Sequence, residues 1–492
     1  MPGSSARPFP PIEVRGMSRP SDKPVPLVIV VPGIGGSVLE SQSGRVLWGT
    51  GDGNGEALLR NPRRLDVDHP VRPVGLVSGR MLFPGFARIH GYRELLDRMG
   101  TIVGGPVDHG APGSRRADAR VVGFPYDFRR SMADSADELG HLIKTRLDLL
   151  GLSGRYDQLI IVAHSTGGLV VRHWLARQTS PVQAVMTLGT PHLGSVKALH
   201  HLVNGADWWT GALPELRDEL RRWPSMYELL PQCPSIEDER SSERLHPADL
   251  PLDWLRPGAR QAHAVHGETQ RSMHKGLVTI GYRAFLGYGH STLLCATWDG
   301  ATLRAHKDPV PWLGKGWGSK GDGTVPAYSA LPIDGESFVR RDYLPAGHTC
   351  LVVEREPLSA FAHLIRLAHC AEERHRAEEQ HRAGRVPMIG LDLDDAYLAG
   401  EPVALRAELD PLGSRPAGMT LAYEVTGDTT YRRGSLAYGD GVWSAALTGL
   451  PPGRYDLTVR AEPADVYPEL RTSDWFDVVG EVLDTSARYP ER

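Results

Sequence analysis

The stretch "QLIIVAHSTGGLVVRHWL", from Gln158 to Leu175, changes its pattern at one serine. The apolar run before Ser165 is typical of a buried strand, and the residues after it are typical of a helix. Ala163 and Gly167 are small enough for the sharp turn that holds a serine hydroxyl above a sheet edge. The amide of Thr166 would then lie at a helix N-terminus, where it could stabilise an oxyanion. The pattern predicts a nucleophilic serine, and a serine that only caps the helix is the alternative.

Short apolar runs on both sides of this stretch alternate with helical patterns. This alternation predicts an α/β fold, with a mostly parallel sheet and helices on both of its faces. The predicted strands are Pro26–Val31, Ala119–Phe124, Gln158–Ala163, Gln183–Leu188, Ala262–Gly267 and Glu336–Leu344. Between the second and third strands, helical spacing of Leu139, Leu142, Ile143, Leu147 and Leu150 predicts a crossover helix.

Changes of composition divide the chain into an α/β part over residues 25–370 and a small all-β domain over 386–480. Residues 41–115 and 200–317 interrupt the alternation and predict two insertions. Short strand-like runs separated by Gly, Pro and Asp turns predict an immunoglobulin-like sandwich for the second domain. The charged stretch "AEERHRAEEQHRAG" predicts a helical linker over 371–385 between independently folded units. We expect a disordered segment over 1–24 and a tail over 481–492.

The composition limits the classes of partner and compartment. The chain has 492 residues and a net charge of −4, which argues against a nucleic-acid-binding surface. Four cysteines without CxxC spacing indicate neither a zinc site nor a disulfide framework, and we expect no metal or cofactor. No apolar signal segment or membrane span is recognisable. We expect a cytoplasmic protein that can associate peripherally with membranes.

A serine hydroxyl needs an imidazole to take its proton and a carboxylate to orient that imidazole. The order Ser, Asp, His predicts Asp322 in "GDGTVP" as the acid and His348 in "PAGHTC" as the base. Glu268, just after the predicted strand Ala262–Gly267, is the rival acid. His192 in "GTPHLGS" comes too early in this order, so we expect it to pack in a loop.

The first predicted strand ends in the glycine-rich turn "VPGIGGSVLE". Backbone amides at this position can face the serine, so Ile34 or Gly35 is predicted to give a second oxyanion donor. A dinucleotide-binding turn is the alternative, but the glycines do not follow the G-x-G-x-x-G pattern.

Several motifs over about residues 25–370 together resemble the lecithin:cholesterol acyltransferase and phospholipid:diacylglycerol acyltransferase family. In chain order they are "VPGIGGSVLE", "GFPYDFRRS", "AHSTGGLVVRHWL", "GTPHLGSVKAL", "WPSMYELLP", "GDGTVPAYSA" and "AGHTC". The resemblance implies an α/β-hydrolase fold with a membrane-contacting first insertion and a cap as the second. The sequence departs from the family in its C-terminal β-domain and in the lack of cysteine over 41–110.

The resemblance also implies a role for each matching residue. Ser165 would be the nucleophile, Asp322 the acid and His348 the base, while the amides of Ile34 and Thr166 would form the oxyanion hole. Asp127 in "PYDFRR" would lie beside the site, and an ion pair with Arg129 or Arg130 is the alternative interpretation.

Together these residues predict a serine-dependent O-acyltransferase or lipase of lipid metabolism that acts on hydrophobic esters, at a membrane or micelle surface. Whether water or an alcohol takes the acyl group is not decided by the residues. The alternative is an idle α/β-hydrolase scaffold that binds or recruits a protein partner, whose identity the sequence does not indicate, through its β-domain.

The segment "ADWWTGALPELRDELRRWPSMYELL" has apolar residues that recur at intervals of three, four or seven after the first pair, which predicts one face of a helix. They are Trp208, Trp209, Leu213, Leu216, Leu220, Trp223 and Tyr227. The neighbours Trp208 and Trp209 must point in different directions, so we expect one to contact lipid aggregates from the roof of the acyl pocket. Replacing both by Ala should lower turnover of micellar ester much more than turnover of a soluble short-chain ester. Equal losses on the two substrates would show that the pair is ordinary core.

Overall fold

The computed structural model describes residues 25–49, 58, 61–83, 87–110, 116–205, 214–276, 281–307, 320–332, 339–367, 388–410, 418–439, 441–463 and 470–480. The predicted N-terminal segment, linker and tail lie outside these residues. So do Trp208 and Trp209.

Seven of the described strands form one parallel sheet in the order β7-β6-β5-β4-β1-β3-β2. Every residue of β1 and β4 is buried, because other elements cover both faces of the sheet. The predicted α/β fold is therefore confirmed. The strands are β1 (Leu27–Val31), β2 (Val107–Asp108), β3 (Val121–Gly123), β4 (Leu159–His164), β5 (Ala184–Leu188), β6 (Gly281–Gly287) and β7 (Val339–Leu344).

Among the helices, α1 packs against α8, and α3 packs against both α2 and α7. Helix α7 also packs against α6, and α4 packs against α5 and α6. Helix α2 is the predicted crossover helix, and its Leu139, Ile143 and Leu147 are buried. Within the described residues, no helix is long and apolar enough to cross a bilayer. The described helices are α1 (Arg93–Val103), α2 (Met132–Leu149), α3 (Thr166–Leu175), α4 (Val196–Asn204), α5 (Pro214–Leu220), α6 (Pro224–Glu228), α7 (Arg256–Gly276) and α8 (Arg355–Leu367).

The strand predicted at Ala262–Gly267 is wrong, because these residues lie within helix α7. Buried side chains recur along α7 at intervals of three and four, at Ala259, Ala262, His266, Thr269 and Met273. That is the period of a helix face, which a run of six residues was too short to reveal. The strand beside β5 is instead β6, so the predicted insertion 200–317 contains a strand of the central sheet.

The predicted single helical face from Trp208 to Tyr227 is also wrong over its described part. Helix α5 ends at Leu220 and α6 begins at Pro224, with Trp223 in an extended conformation between them. A residue before proline is disfavoured in helical conformation, which explains the break. Trp223 is fully buried and packs edge-on against Phe83 and Phe128, so it joins this segment to the first insertion.

The two insertions carry small sheets of their own. In the first, Ser37–Ser41 pairs with Val46–Trp48 and Val71–Leu76, and Met81–Phe83 pairs with Ala87–Ile89. In the second, Ile236–Asp238 pairs with Arg244–Leu245 and Cys295–Trp298, and the last of these pairs with Leu303–His306. Short 3₁₀ helices lie at Pro62–Leu65, Tyr156–Gln158, Pro247–Asp249 and Cys350–Val352.

Asp127 forms a buried ion pair with Arg129, in which two guanidinium nitrogens each lie 2.8 Å from a carboxylate oxygen. Arg129 also donates to the carbonyl oxygens of Asp66 and His69, at 2.6 and 3.1 Å. Of the two interpretations of Asp127, the ion pair is therefore what the structure contains. The pair fastens the first insertion to the loop that follows β3.

The predicted C-terminal all-β domain is confirmed. Eight described strands follow the order β8-β10-β13-β12-β11-β14-β15-β9. Strand β12 pairs with β11 through Tyr431–Leu436 and with β13 through Ala437–Gly439, so the sheet has two halves that share one apolar core. The strands are β8 (Met388–Asp392), β9 (Ala396–Leu398), β10 (Val403–Asp410), β11 (Thr420–Gly427), β12 (Tyr431–Gly439), β13 (Val442–Leu447), β14 (Gly453–Glu462) and β15 (Arg471–Val479).

Candidate active site

Ser165 lies between the end of β4 and the start of α3 in a strained backbone conformation, with φ of 52° and ψ of −128°. Positive φ is unfavourable for a residue with a Cβ and is kept only where the surroundings impose it. The close approach of α3 to β1 is one such constraint, because a Cβ added to Gly167 would lie 2.5 Å from the carbonyl oxygen of Pro32. The sequence therefore folds into the sharp turn that its small residues predicted.

Ser165, His348 and Asp322 form a continuous hydrogen-bonded chain. The Oγ of Ser165 lies 2.9 Å from Nε2 of His348, and Nδ1 of the same ring lies 2.7 Å from Oδ2 of Asp322. A carboxylate accepts, so Nδ1 carries the proton and Nε2 is left with the lone pair that faces the serine. All three residues are buried, with 6%, 6% and 3% of their surfaces exposed.

The other oxygen of Asp322 accepts hydrogen bonds from the amides of Thr324 and Val325, at 3.0 and 2.7 Å. In addition, the amide of His348 donates to the carbonyl oxygen of Asp322 at 2.8 Å. The loop with the carboxylate and the loop with the imidazole are thus fixed to one another by backbone as well as by side chain. This arrangement limits rotation of the carboxylate.

His164 and Tyr92 form a second buried chain behind the serine, which the sequence did not predict. The Tyr92 hydroxyl accepts from the amide of Gly33 and donates to Nδ1 of His164, both at 2.8 Å. Nε2 of His164 donates to the carbonyl oxygen of His348 at 3.0 Å. Burial, followed by the influence of His348, lowers the pKa of His164 to about 3, so the ring is neutral.

This second chain connects the turn after β1 to the backbone of His348. A neutral imidazole has one donor and one acceptor, and both are used here. The ring of His164 points away from the serine and towards the loop that carries His348 (the base loop), which it holds in place.

The turn after β1 lies directly against the serine. A Cβ added to Gly33 would be 2.8 Å from Cβ of Ser165 and 3.3 Å from its Oγ. The Tyr126 hydroxyl donates to the carbonyl oxygen of Pro32 at 3.0 Å and lies 3.2 Å from Oγ1 of Thr166. Ile34 and Thr166 are therefore on the two chain segments that flank Ser165.

Two other predicted candidates lie apart from this arrangement. Glu268 is exposed on helix α7, whereas the carboxylate that contacts His348 belongs to Asp322. His192 is buried in the loop after β5 beside Tyr282, as expected for a packing residue. Burial shifts the pKa of His192 well below its ordinary value, so it is neutral.

A parallel sheet with a strained serine between strand and helix, and later loops that bring Asp322 and His348 to it, defines an α/β-hydrolase. A family model described as lecithin:cholesterol acyltransferase matches residues 110–245, which include Ser165. Over these residues, the match confirms the resemblance that the motifs indicated. It points to an enzyme of the acyltransferase or esterase type.

Other comparisons add little. No curated protein matches the chain significantly. A solved structure titled "Titin kinase and its flanking domains" is similar over 21% of this chain, at 13% identity and a TM-score of 0.15. The match covers 18% of that chain, so this chain spans less than a fifth of its length.

The close contact between Gly33 and Ser165 predicts that Gly33→Ala disturbs the serine. A displacement of about 1 Å at a reacting atom costs about a hundredfold in rate, so we expect a loss of that order in turnover of a chromogenic short-chain ester. Gly79→Ala is the matched control, since a Cβ there would meet nothing within 4 Å. Thermal melting checks that both variants fold, and equal turnover by the two would contradict this description of the turn.

Proposed function

We propose that the chain is a serine-dependent acyl-ester enzyme in which Ser165 is the nucleophile. The observation that carries the proposal is the buried hydrogen-bonded chain from Ser165 through His348 to Asp322. A serine hydroxyl is a weak nucleophile until a neighbouring base takes its proton. His348 has its free lone pair 2.9 Å from that hydroxyl, and Asp322 fixes the tautomer that leaves the lone pair free.

The proposed reaction has two halves. In the first, Oγ of Ser165 attacks the ester carbonyl carbon while Nε2 of His348 takes the hydroxyl proton. The developing oxyanion accepts hydrogen bonds from the amides of Ile34 and Thr166, and His348 then gives the proton to the departing alkoxide. In the second half, water or an alcohol gives its proton to Nε2 of His348 and attacks the carbonyl carbon of the acyl-serine. His348 then gives that proton to Oγ of Ser165 as the acid or the new ester leaves.

The proposed substrate is a lipid or another hydrophobic ester. The family description supports a lipid acyl group. Burial of all three side chains supports a site that excludes bulk water, which an acyl transfer to an alcohol requires. The same residues serve both acceptors, so the enzyme is an O-acyltransferase, a lipase, or both, depending on which hydroxyl reaches the acyl-serine.

The alternative of an idle scaffold has less support. A protein that only binds a partner has no need to keep a strained serine, since that backbone conformation costs stability.

Analysis of the products separates hydrolysis from acyl transfer. A lipid ester incubated with a long-chain alcohol gives free acid if water is the acceptor and a new ester if the alcohol is the acceptor.

Ser165→Ala should lower kcat/KM for a short-chain ester by about a thousandfold or more with the melting temperature unchanged, because nucleophile and base act as a unit. Asp322→Asn should also be crippling, because the tautomer of His348 is then no longer fixed. Glu268→Gln is the control and should have a mild effect. A Ser165→Ala variant that keeps a tenth of the wild-type rate would end the assignment of the nucleophile, and a larger loss in Glu268→Gln than in Asp322→Asn would move the acid to Glu268.

A further inference from the structure

The β-domain contacts the loop that carries His348 on both sides of that residue. The Thr472 hydroxyl donates to the carbonyl oxygen of Pro345 at 3.0 Å. The carboxylate of Asp474 packs against Gly347, where an added Cβ would lie 3.2 Å from Oδ2, and accepts from the thiol of Cys350 at 3.9 Å. Strand β15 therefore packs directly against the base loop.

The same domain also contacts the segment 289–291, which follows β6. The amide of Ser291 donates to the carbonyl oxygen of Leu391 at 3.0 Å, and Gly289 meets Gly390 so closely that a Cβ on Gly390 would overlap its carbonyl. His290, between them, exchanges backbone hydrogen bonds with Gly321 at 2.9 and 3.1 Å. Strand β8 thus supports the loop that carries Asp322 through the segment 289–291, which lies between them.

Arg88 of the first insertion is the centre of this interface. Its guanidinium is largely buried and binds Asp395 at 2.9 Å and Asp474 at 3.0 Å, both in the β-domain. The ring of Trp475 lies beneath it, with a guanidinium carbon to ring centre distance of 5.5 Å. Arg88 binds the same carboxylate of Asp474 that packs against Gly347, so it orients Asp474 against the base loop.

Six ion pairs between described residues across the interface share one polarity. The cation belongs to the α/β part and the anion to the β-domain in Arg80–Asp456, Arg88–Asp474, Arg88–Asp395, Lys197–Asp395, Lys307–Asp392 and Lys320–Glu408. Complementary charges fix the orientation of one surface on another more than they add affinity. A domain that served only as a tethered spacer would need no such fixed orientation.

The Arg88–Asp474 pair is buried, with 11% and 4% of the two side chains exposed, and Asp395 beside it is half-buried. Although burial alone would raise the pKa of Asp395, Lys197 and Arg88 keep it below its ordinary value, so the group is ionised. Removing one partner of a buried pair leaves the other charge without compensation, which is strongly unfavourable. The interface therefore has one well-defined arrangement.

From these contacts we propose that the β-domain is a structural part of the active site, and that Asp474 and Thr472 are positioning residues that hold the His348 loop in its reactive geometry. The proposal rests on the function proposed above, because it gives His348 the role of base. It differs from the expectation of independently folded units, since here the second domain completes the support of the first.

Full-length Asp474→Asn and Thr472→Val test the proposal, with Asp456→Asn as the matched control. Asp456 pairs with Arg80 across the same interface, but its side chain is half exposed. We expect kcat for a soluble ester to fall about tenfold or more in the two test variants, with KM within about twofold, because the displaced base reacts more slowly while binding is kept. The control should keep wild-type kcat.

A second readout does not need turnover. The low-field proton resonance of the His348–Asp322 hydrogen bond, assigned by its loss in His348→Gln, should shift or broaden in the test variants and not in the control. If Ser165→Ala stays active while this resonance responds, the proposed function fails and the positioning role stands. Wild-type kcat or an unchanged resonance in both test variants, or an equal loss in Asp456→Asn, overturns the proposal. If Asp474→Asn does not fold, Thr472→Val alone decides.

Discussion

The backbone strain at Ser165 is the constraint on which the rest of the site depends. A residue with positive φ at the end of β4 is held there only because the neighbouring segments leave no other path. Helix α3 must approach β1 closely, and the turn at Gly33 must lie against the serine itself. The result is a hydroxyl directed at the loops that follow β6 and β7, where an acid and a base can reach it.

Contacts from three directions hold these loops in place. Asp322 and His348 bond to each other, and the neutral ring of His164 holds the backbone of His348 from behind. The β-domain supplies the third direction, through Thr472 and Asp474. We therefore infer that precise placement of the imidazole is a property of the whole chain, including its C-terminal β-domain.

Local patterns in the sequence were enough to predict β4, helices α2 and α3, and the three residues of the hydrogen-bonded chain. Small residues around a serine and a fixed order of acid and base are short-range signals. The strand predicted at Ala262–Gly267 failed because six residues do not distinguish a strand from a buried helix face. The break before Pro224 could have been predicted, since proline disfavours helix at the residue before it.

Contacts between distant segments could not be predicted in this way. Tyr92 and His164 are 72 positions apart, and Arg88 and Asp474 are 386 positions apart. Neither pair carries a motif, because an ion pair or a hydrogen bond needs only the right two groups at the right distance. The role of the β-domain therefore emerged only from the packed structure.

Covalent labelling tests the central claim most directly. A fluorophosphonate reacts with a serine only when a neighbouring base activates it, and peptide mass spectrometry then locates the adduct. We expect one adduct, on Ser165, which disappears in Ser165→Ala and forms far more slowly in His348→Gln. An adduct on a different residue, or an enzyme that turns over esters while Ser165 stays unmodified, would contradict it.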